Sequence, residues 1–289
     1  MNVPLSPDEV FPAGLPNMIV RHVTLSTGVT LRVVESGPAN GAPLLMLHGW
    51  GASAYMYRQA LATLPARGVR AIAIDLRGYG LSDKPSQLGA YSLDAYCSDV
   101  DALLDALDLP RVHLMGQSMG GGLALRYAMR NPARVSRLVL VNPVGLVSIA
   151  YLHLLEIAPR SLIAAIGRRL VPRTVVDLVL RYLAYADPRQ PTERDVDEYW
   201  APTQLEGFVN AARSALSEFD WRPLSDAEAQ SLTVAALVIL GTKDRLIRNA
   251  ESAAERLRGG TVRMVEGGHC VLEENPAVVY EMVGDFLGG

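Results

Sequence analysis

The amino-acid sequence predicts an α/β fold: a mostly parallel eight-stranded sheet flanked by helices, with an all-helical insertion. Three observations support this prediction. Apolar runs typical of buried strands alternate along most of the chain with segments whose apolar residues recur at helical spacing. Several of these runs end directly in glycine, histidine, serine or aspartate, the residue types expected at the functional edge of a parallel sheet. One long stretch, 144–230, lacks strand-like runs and interrupts the alternation.

The composition is that of an ordinary globular chain. Of its 289 residues, 49% are hydrophobic and 20% are charged, and the net charge of −3 gives no electrostatic reason to expect nucleic acid as a partner. No apolar run approaches the roughly 18 residues that a membrane span needs, and the first residues lack the basic start of a signal peptide. Two cysteines, Cys97 and Cys270, are too few for a disulfide framework. We therefore expect a cytoplasmic protein, either a monomer or a homodimer.

The first half of the chain predicts six of the eight strands. Residues 1–17 contain four prolines and are expected to form an extended arm. A hairpin is predicted over 18–26 and 29–37, with a two-residue turn at Thr27 and Gly28. The remaining predictions are buried strands at 43–47, 69–74, 111–115 and 135–141, and helices over 54–65, 93–107 and from 119 to 131.

The second half of the chain contains the insertion and the last two strands. Residues 144–230 predict helices interrupted by prolines, and their apolar residues, Leu178 and Tyr182 among them, are expected to pack against the core and each other. Strands are predicted at 234–240 and 261–265, and helices at 248–257 and 276–286. The chain is thus predicted to comprise a core domain, residues 1–143 and 231–289, and a helical cap, residues 144–230, between strands six and seven.

A Gly-x-Ser-x-Gly motif at 116–120 lies between a predicted strand and a predicted helix. Such a turn gives its central residue strained backbone angles, and glycine is needed where a Cβ would collide with the neighbouring strand or helix. Ser118 would then hold its hydroxyl clear of the sheet at a helix N-terminus, where unpaired N–H groups favour developing negative charge. The alternative is a glycine-rich turn without chemistry, which the strand and helix on either side disfavour.

Three further marked positions follow predicted strands: the segment 48–50 (His-Gly-Trp), Asp244 and His269. Since the carboxyl ends of parallel strands meet at one edge of a sheet, we expect these residues and Ser118 to lie together there. The motif, the order Ser…Asp…His, the loop at 75–82 and the insertion together resemble the α/β-hydrolase superfamily. The resemblance covers nearly all of the chain after residue 18.

This resemblance implies a catalytic triad. Ser118 is expected to be the nucleophile, His269 its base, and Asp244 the carboxylate that orients the imidazole, because a serine hydroxyl is a poor nucleophile alone. An alternative for Asp244 is an ion pair with Lys243 or Arg245. Alternatives for the base are the other histidines, of which two lie in strand runs, one in the insertion and one in the oxyanion loop: His22, His113, His153 and His48.

The resemblance also implies an oxyanion hole formed by the backbone N–H groups of Met119 and Trp50, whose side chains are expected to wall the pocket. His48 and Gly49 are expected to shape the oxyanion loop, His48 through hydrogen bonding and not through proton transfer. In the insertion, Trp200 and Phe208 are candidates for lining the substrate pocket. No cluster of residues has metal-ligand spacing and no nucleotide-binding glycine motif follows a strand, so neither a metal nor a cofactor is expected.

Residue identities narrow the reaction. The resemblance assigns an aspartate nucleophile to haloalkane dehalogenases and epoxide hydrolases, whereas position 118 is serine. Ring-fission (carbon–carbon bond) hydrolases typically have Gly-Pro-Gly where this chain has Gly51-Ala52-Ser53, and cofactor-free haloperoxidases or perhydrolases usually have proline near position 51. We therefore expect a hydrolase of small-molecule esters with short to medium acyl chains, acting through an acyl-enzyme. The alternatives are a ring-fission hydrolase, a cofactor-free haloperoxidase or perhydrolase, and a ligand receptor that retains the triad.

Overall fold

A computed structural model of the chain describes residues 3–149 and 171–288, and the central feature of these residues is one eight-stranded sheet. The strands are β1 (Met18–Thr24), β2 (Thr30–Ser36), β3 (Ala42–Leu47), β4 (Val69–Ile74), β5 (Val112–Gln117), β6 (Val135–Val141), β7 (Ala236–Gly241) and β8 (Gly260–Val265). Their order is β1-β2-β4-β3-β5-β6-β7-β8. Only β2 runs against its neighbours in this sheet; the other pairs are parallel. The predicted fold class is confirmed.

Helices cover both faces of the sheet. In the described residues they are α1 (Arg58–Thr63), α2 (Leu93–Ala106), α3 (Met119–Arg130), α4 (Arg173–Val179), α5 (Glu193–Trp200), α6 (Phe208–Glu218), α7 (Asp226–Ser231), α8 (Glu251–Glu255), α9 (Val271–Glu274) and α10 (Pro276–Gly288). No helix in the described ranges is long and apolar enough to cross a membrane.

Two hydrophobic cores lie on opposite faces of the sheet. Because side chains alternate along a strand, Leu45 and Leu47 of β3 pack in one core with α2 and α3. Leu44 and Met46 of the same strand pack in the other core with α1 and α10. This double burial explains why the central strands are continuous apolar runs in the sequence.

The structure corrects three local predictions. Residues 7–14 form turns instead of an extended arm. Within them Phe11 is buried: its N–H donates to the Glu198 carboxylate 2.8 Å away, and its ring packs edge-on against Tyr55. The hairpin loop spans residues 25–29, since Thr24 pairs with Thr30. The helix predicted over 54–65 is interrupted: a 3₁₀ turn precedes α1 and another follows it, with Pro65 in the second.

Between β6 and β7, the described residues of the insertion contain helices and turns only. The two ends of the insertion lie close together, since the Leu224 N–H donates to the Gly145 carbonyl over 2.8 Å. The expectation that Leu178 and Tyr182 pack against the core is wrong: they are 55% and 60% exposed. The buried residue on the opposite face of this helical stretch is Leu180, which packs in the core. The helical residues 152–157 that the sequence predicts lie outside the described residues.

Buried charges fasten α5 of the insertion to the core domain. The Arg58 guanidinium of α1 forms an ion pair with Asp195 of α5, with Nη2 and Oδ1 2.8 Å apart, and a second ion pair with Glu273 of α9. The Tyr55 hydroxyl donates to the same Asp195 oxygen over 2.6 Å. Both carboxylate side chains are buried, so each depends on the guanidinium to compensate for its lost hydration.

Candidate active site

Ser118 occupies the turn between β5 and α3 in a strained conformation, with φ 53° and ψ −118°. The glycines on either side are required by space: an ideal Cβ on Gly120 would lie 2.1 Å from the Leu47 carbonyl oxygen, and one on Gly116 would lie 2.2 Å from the Gly120 carbonyl oxygen. Hydrogen bonds hold the turn, since the Ser118 N–H donates to the Val141 carbonyl over 3.0 Å. Ser118 as a whole is only partly buried. The sequence motif therefore folds as the sharp strand-to-helix turn that it predicts.

The loop after β3 lies directly beside Ser118. A Cβ on Gly49 would lie 3.1 Å from the Ser118 Cβ and 2.4 Å from the Gln117 Oε1 atom, so the loop approaches this closely only with glycine. His48 is fully buried: its Nε2 accepts from the Leu76 N–H over 2.9 Å, and its Nδ1 lies 2.7 Å from the Gly49 carbonyl. These partners assign the proton to Nδ1, and burial lowers the pKa of His48, which favours the neutral ring.

Asp244 and His269, on the loops after β7 and β8, form a buried hydrogen-bonded pair. His269 Nδ1 lies 2.8 Å from Asp244 Oδ2. The other carboxylate oxygen, Oδ1, accepts from the N–H groups of Leu246 (2.6 Å) and Ile247 (3.0 Å), which fixes the carboxylate plane. This arrangement leaves His269 Nε2 as the ring atom that can take up a proton.

The alternative partners of Asp244 are engaged elsewhere. The Lys243 ammonium lies 2.7 Å from Glu266 in an exposed ion pair. The Arg245 guanidinium donates to backbone carbonyls of the insertion, among them that of Tyr185 at 2.8 Å. The geometry therefore favours the interpretation of Asp244 as the partner of His269.

Two residues that the sequence interpretation did not assign to the site hold the His269 loop in place. Asn142, fully buried after β6, donates from Nδ2 to the carbonyls of Gly268 (3.1 Å) and His269 (3.0 Å), and its Oδ1 accepts from the Gly241 N–H (2.8 Å). Gln117 Nε2 also donates to the His269 carbonyl, over 3.0 Å. The available signal was their position: each is a polar residue at the carboxyl end of a buried strand.

The structure brings Ser118 and His269 to the same edge of the sheet without a direct hydrogen bond between them in the described residues. Gln117, the residue before the serine, bridges to the backbone of His269. Such a separation is compatible with catalysis, because catalytic hydrogen bonds often tighten only when substrate binds.

The predicted oxyanion-hole residues flank this edge. Met119 is the first residue of α3, and its side chain is buried in the core that contains α2 and α3. Its role as a pocket wall stays a prediction. Trp50 follows Gly49 and is 43% exposed; its indole N–H donates to the Ala212 carbonyl of α6 over 2.9 Å. The Trp50 side chain therefore joins the oxyanion loop to the insertion.

The two candidate pocket residues are buried packing positions. The Trp200 indole N–H donates to the Val171 carbonyl over 2.8 Å, inside the insertion. The Phe208 ring packs edge-on against Tyr79, with centroids 6.2 Å apart, and Tyr79 packs in the same way against His48 at 5.5 Å. Phe208 is thus one ring removed from the oxyanion loop, and a pocket-lining role for either residue stays a prediction.

Within the described ranges, no group of three or more histidine, cysteine, aspartate or glutamate residues is arranged to hold a metal ion. Cys270, next to His269, is fully buried, and burial raises the pKa of its thiol well above the usual range. A protonated, enclosed thiol is a poor nucleophile. Of Cys270 and Ser118, the serine is therefore the better candidate nucleophile at this edge.

Comparison with known proteins places the fold and the site in a family context. Residues 42–276 match the family model described as alpha/beta hydrolase fold. The chain is 31% identical over 280 residues to a non-heme chloroperoxidase of Streptomyces lividans, an alignment that covers 89% of this chain and 95% of that protein. It is 33% identical over 259 residues to the putative carbamate hydrolase RutD of Variovorax paradoxus strain S110, covering 87% and 93%.

Among solved structures, the epoxide hydrolase CorEH without ligand superposes with a TM-score of 0.81 at 24% identity, covering 94% of this chain and 99% of that one. At this identity the likeness shows a shared fold and leaves the reaction open.

Proposed function

Because this chain belongs to the α/β-hydrolase fold family, we propose that it is a serine hydrolase that cleaves carboxylic esters of short to medium acyl chain. The observation that carries the proposal is the buried Asp244–His269 pair at the sheet edge that also presents Ser118 in a strained turn. A serine, a histidine and a carboxylate held in this order are the groups that acyl transfer needs.

The proposed reaction has two half-reactions. Ser118 Oγ attacks the ester carbonyl carbon while His269 Nε2 takes the hydroxyl proton, and Asp244 keeps the Nδ1 proton in place and stabilises the imidazolium. The carbonyl oxygen becomes an oxyanion that accepts hydrogen bonds from the backbone N–H groups of Met119 and Trp50. His269 then gives its proton to the departing alcohol, which leaves an acyl-serine. Water, deprotonated by His269, releases the acid and regenerates Ser118.

The insertion is proposed to act as a cap over this edge. Its α6 helix accepts the Trp50 indole N–H from the oxyanion loop, and its α5 helix is fastened to the core by the Arg58 ion pairs. A covering helical segment anchored at several points favours an enclosed pocket, which limits the length of the acyl chain.

A second candidate reaction is perhydrolysis, in which hydrogen peroxide replaces water in the second half-reaction and releases a peracid. The relative named as a non-heme chloroperoxidase favours testing it. The residues at 51–53 disfavour it, since Gly51 stands where proline is usual in such enzymes. The same acyl-serine would serve both reactions, so the nucleophile test below applies to both.

The test is a panel of p-nitrophenyl esters from acetate to palmitate, together with a lactone, a ring-fission dienoate, and acetate ester with added peroxide. Each buried acyl methylene adds roughly 0.8 kcal/mol of binding. The value of kcat/KM should therefore climb roughly fourfold per methylene, peak at a modest length and then fall. A profile that rises to palmitate with activation at an oil–water interface would identify a lipase.

Ser118→Ala should lower kcat for the best ester by roughly 10⁴–10⁶, because the residual rate comes from the oxyanion hole and binding alone. A fluorophosphonate probe should label wild type and fail to label this variant. Ser92→Ala, which removes a serine whose side chain bonds only its helix-capping neighbours Gly89 and Ala95 in the described residues, is the control and should be labelled at the wild-type rate. Equal labelling of Ser118→Ala would refute the assignment.

A further inference from the structure

Both loops that carry Asp244 and His269 contact the same short segment of the insertion. This segment, residues 182–186, comprises the end of the π-helical turn Leu180–Ala184 that continues α4 and the two residues after it. The loop after β7 reaches the segment through Arg245, and the loop after β8 reaches it through residues 268–274.

Arg245, the neighbour of Asp244, binds the carbonyl end of this helical stretch. Its Nη1 donates to the carbonyls of Tyr182 (3.0 Å) and Tyr185 (2.8 Å). The last carbonyls of a helix lack partners within the helix, and a cation is stabilised there by the helix dipole. The position of the residue after Asp244 is therefore tied to the position of the helix end.

Glu274 and Cys270 make the corresponding connection on the His269 side. The Glu274 carboxylate bridges the two chain segments: Oε1 accepts from the Gly268 N–H (2.6 Å) and Oε2 from the Ala186 N–H (2.8 Å). The Cys270 N–H donates to the Ala184 carbonyl over 3.1 Å. The residues before and after His269 are thus both held by segment 182–186.

Gly268, the residue before His269, packs directly against the backbone of segment 182–186. A Cβ on Gly268 would lie 2.6 Å from the Ala184 carbonyl oxygen and 2.7 Å from the Ala186 nitrogen. On its other side the His269 loop is fixed by Asn142 and Gln117 of the core. The loop therefore lies between a rigid core support and a support that belongs to the insertion.

We propose that Arg245 and Glu274 are positioning residues that make the alignment of Asp244 and His269 depend on the seating of segment 182–186. The acid–base pair is then fully aligned only when the insertion is seated over the site. The reason is geometric, because a catalytic constellation must be held to within about 0.5 Å and its supports decide whether it is. This inference rests on the proposed hydrolase function and adds a regulation of the same site.

The test is Glu274→Gln, because a glutamine carbonyl serves one of the two N–H groups and its NH₂ faces the other. We expect kcat for the best ester to fall about 10- to 100-fold, the size expected for a misplacement of about 1 Å, with KM changing far less. Fluorophosphonate labelling of Ser118 should slow by a similar factor. The far-downfield NMR resonance of the His269 Nδ1 proton should shift or broaden.

Glu198→Gln is the matched control. Glu198 is also a buried carboxylate, but it joins α5 to the N-terminal arm: its partners are the Phe11 N–H and Arg194 of its own helix, and it bonds neither segment 182–186 nor a catalytic loop. It should destabilise the protein and leave kcat, the labelling rate and the downfield proton unchanged. Arg245→Met is the second test variant; Arg245 is exposed, so the change buries no new charge or cavity. It should change all three readouts in the direction of Glu274→Gln.

Unchanged labelling and an unchanged downfield resonance in both Glu274→Gln and Arg245→Met would overturn the proposal. Equal changes in Glu198→Gln would also overturn it, because they would indicate a general loosening of the fold. Labelling and the resonance do not depend on the substrate. If the wild-type protein is labelled by the fluorophosphonate and shows the downfield resonance but hydrolyses no ester, the ester proposal is refuted. The comparison of the variants by labelling and NMR would still test this inference.

Discussion

At the scale of single residues, the hydrogen-bond partners of the candidate site residues fix each of them in one conformation or one tautomer. Ser118 has a backbone conformation that costs on the order of 1–3 kcal/mol and persists only where surrounding bonds over-determine it. Here the Ser118 carbonyl accepts from the Gly122 and Val144 N–H groups, and its N–H donates to β6. Such a conformation costs stability, and under the proposed function its benefit is to present the serine hydroxyl to the substrate.

Asp244→Asn should lower kcat by roughly 10³–10⁴. The Oδ1 atom already accepts two backbone N–H groups, so the amide oxygen of asparagine would take that position and its NH₂ would face His269 Nδ1. The imidazole would then carry its proton on Nε2 and could not act as a base. Steady-state kinetics on the best ester would measure the loss.

Glu266→Gln, on the same loop as His269 but in an exposed ion pair with Lys243, is the control for Asp244→Asn and should retain full activity. Full activity of Asp244→Asn itself would mean that the carboxylate of the triad is another residue.

His48 predicts a pH dependence of stability. Burial lowers its folded-state pKa below the ordinary value of 6.5, so the unfolded chain binds the proton more readily. The stabilising contribution is therefore complete above about pH 6.5 and is lost as pH falls through the lowered folded-state pKa.

The measurement for His48 is the free energy of unfolding in urea between about pH 5 and 8, compared with His48→Gln, which keeps a donor and an acceptor but does not titrate. The stability difference between the two proteins should shrink as the pH falls. A constant difference would show that His48 does not titrate in this range.

At the scale of elements, β5, the turn and α3 can pack closely only because glycines leave no side chain between the neighbouring backbones. Gly120 lies against the end of β3, and Gly116 lies against α3. Neither has a positive φ, so the requirement is for room and not for backbone flexibility. The same closeness brings the oxyanion loop after β3 against Ser118.

Gly120→Ala should therefore destabilise the protein by about 3 kcal/mol, the upper part of the usual range for overpacking, and should abolish fluorophosphonate labelling. Gly28→Ala is the contrasting variant: it has a positive φ but open space around it, so it should cost about 1 kcal/mol and leave labelling intact. Urea denaturation and the labelling rate measure the two effects. A stable, fully labelled Gly120→Ala would show that the two backbones can separate without loss.

At the scale of the whole molecule, long-range polar contacts join the insertion to the rest of the chain, whereas α4 itself contributes no buried residue. Arg58 connects α1, α5 and α9 through two buried carboxylates, and the N-terminal arm is joined to α5 through Phe11 and Glu198. The outer face of α4 and its π-helical continuation stays exposed. The ion pairs of Arg58 therefore add to the apolar contacts of Leu180, Ala184 and Tyr185, which pack the neighbouring part of the insertion on the core.

Arg58→Met should destabilise the protein by about 3–5 kcal/mol, because it leaves two buried carboxylates without a cation. The control is Lys243→Met, which removes one partner of the exposed Lys243–Glu266 pair and should leave the free energy of unfolding nearly unchanged. Both are measured by urea denaturation at neutral pH. A neutral Arg58→Met would show that water reaches the carboxylates and the network is dispensable.

The sequence by itself determined the parts that depend on local spacing. Alternating apolar runs and helical stripes predicted the eight strands, and the Gly-x-Ser-x-Gly motif located the turn at Ser118, because period, strand ends and glycine spacing are local properties. The serine at position 118 also favours the proposed serine-hydrolase reaction over one with an aspartate nucleophile. The order of the strand ends was enough to predict that Asp244 and His269 lie near that turn.

Only the tertiary structure decided which distant groups support those residues. Asn142 and Gln117 lie 127 and 152 positions from His269 in the sequence, and Phe11 lies 187 positions from Glu198. No local sequence pattern can predict hydrogen bonds between residues so far apart. Arg245 could be expected to pair with Asp244 until the fold placed carbonyls of the insertion within its reach. Tyr182 has the helical spacing of a buried residue, but in the folded chain its face of the helix is exposed. Periodicity specifies that a face is apolar, but the partner that covers it is chosen by the packing of the whole chain.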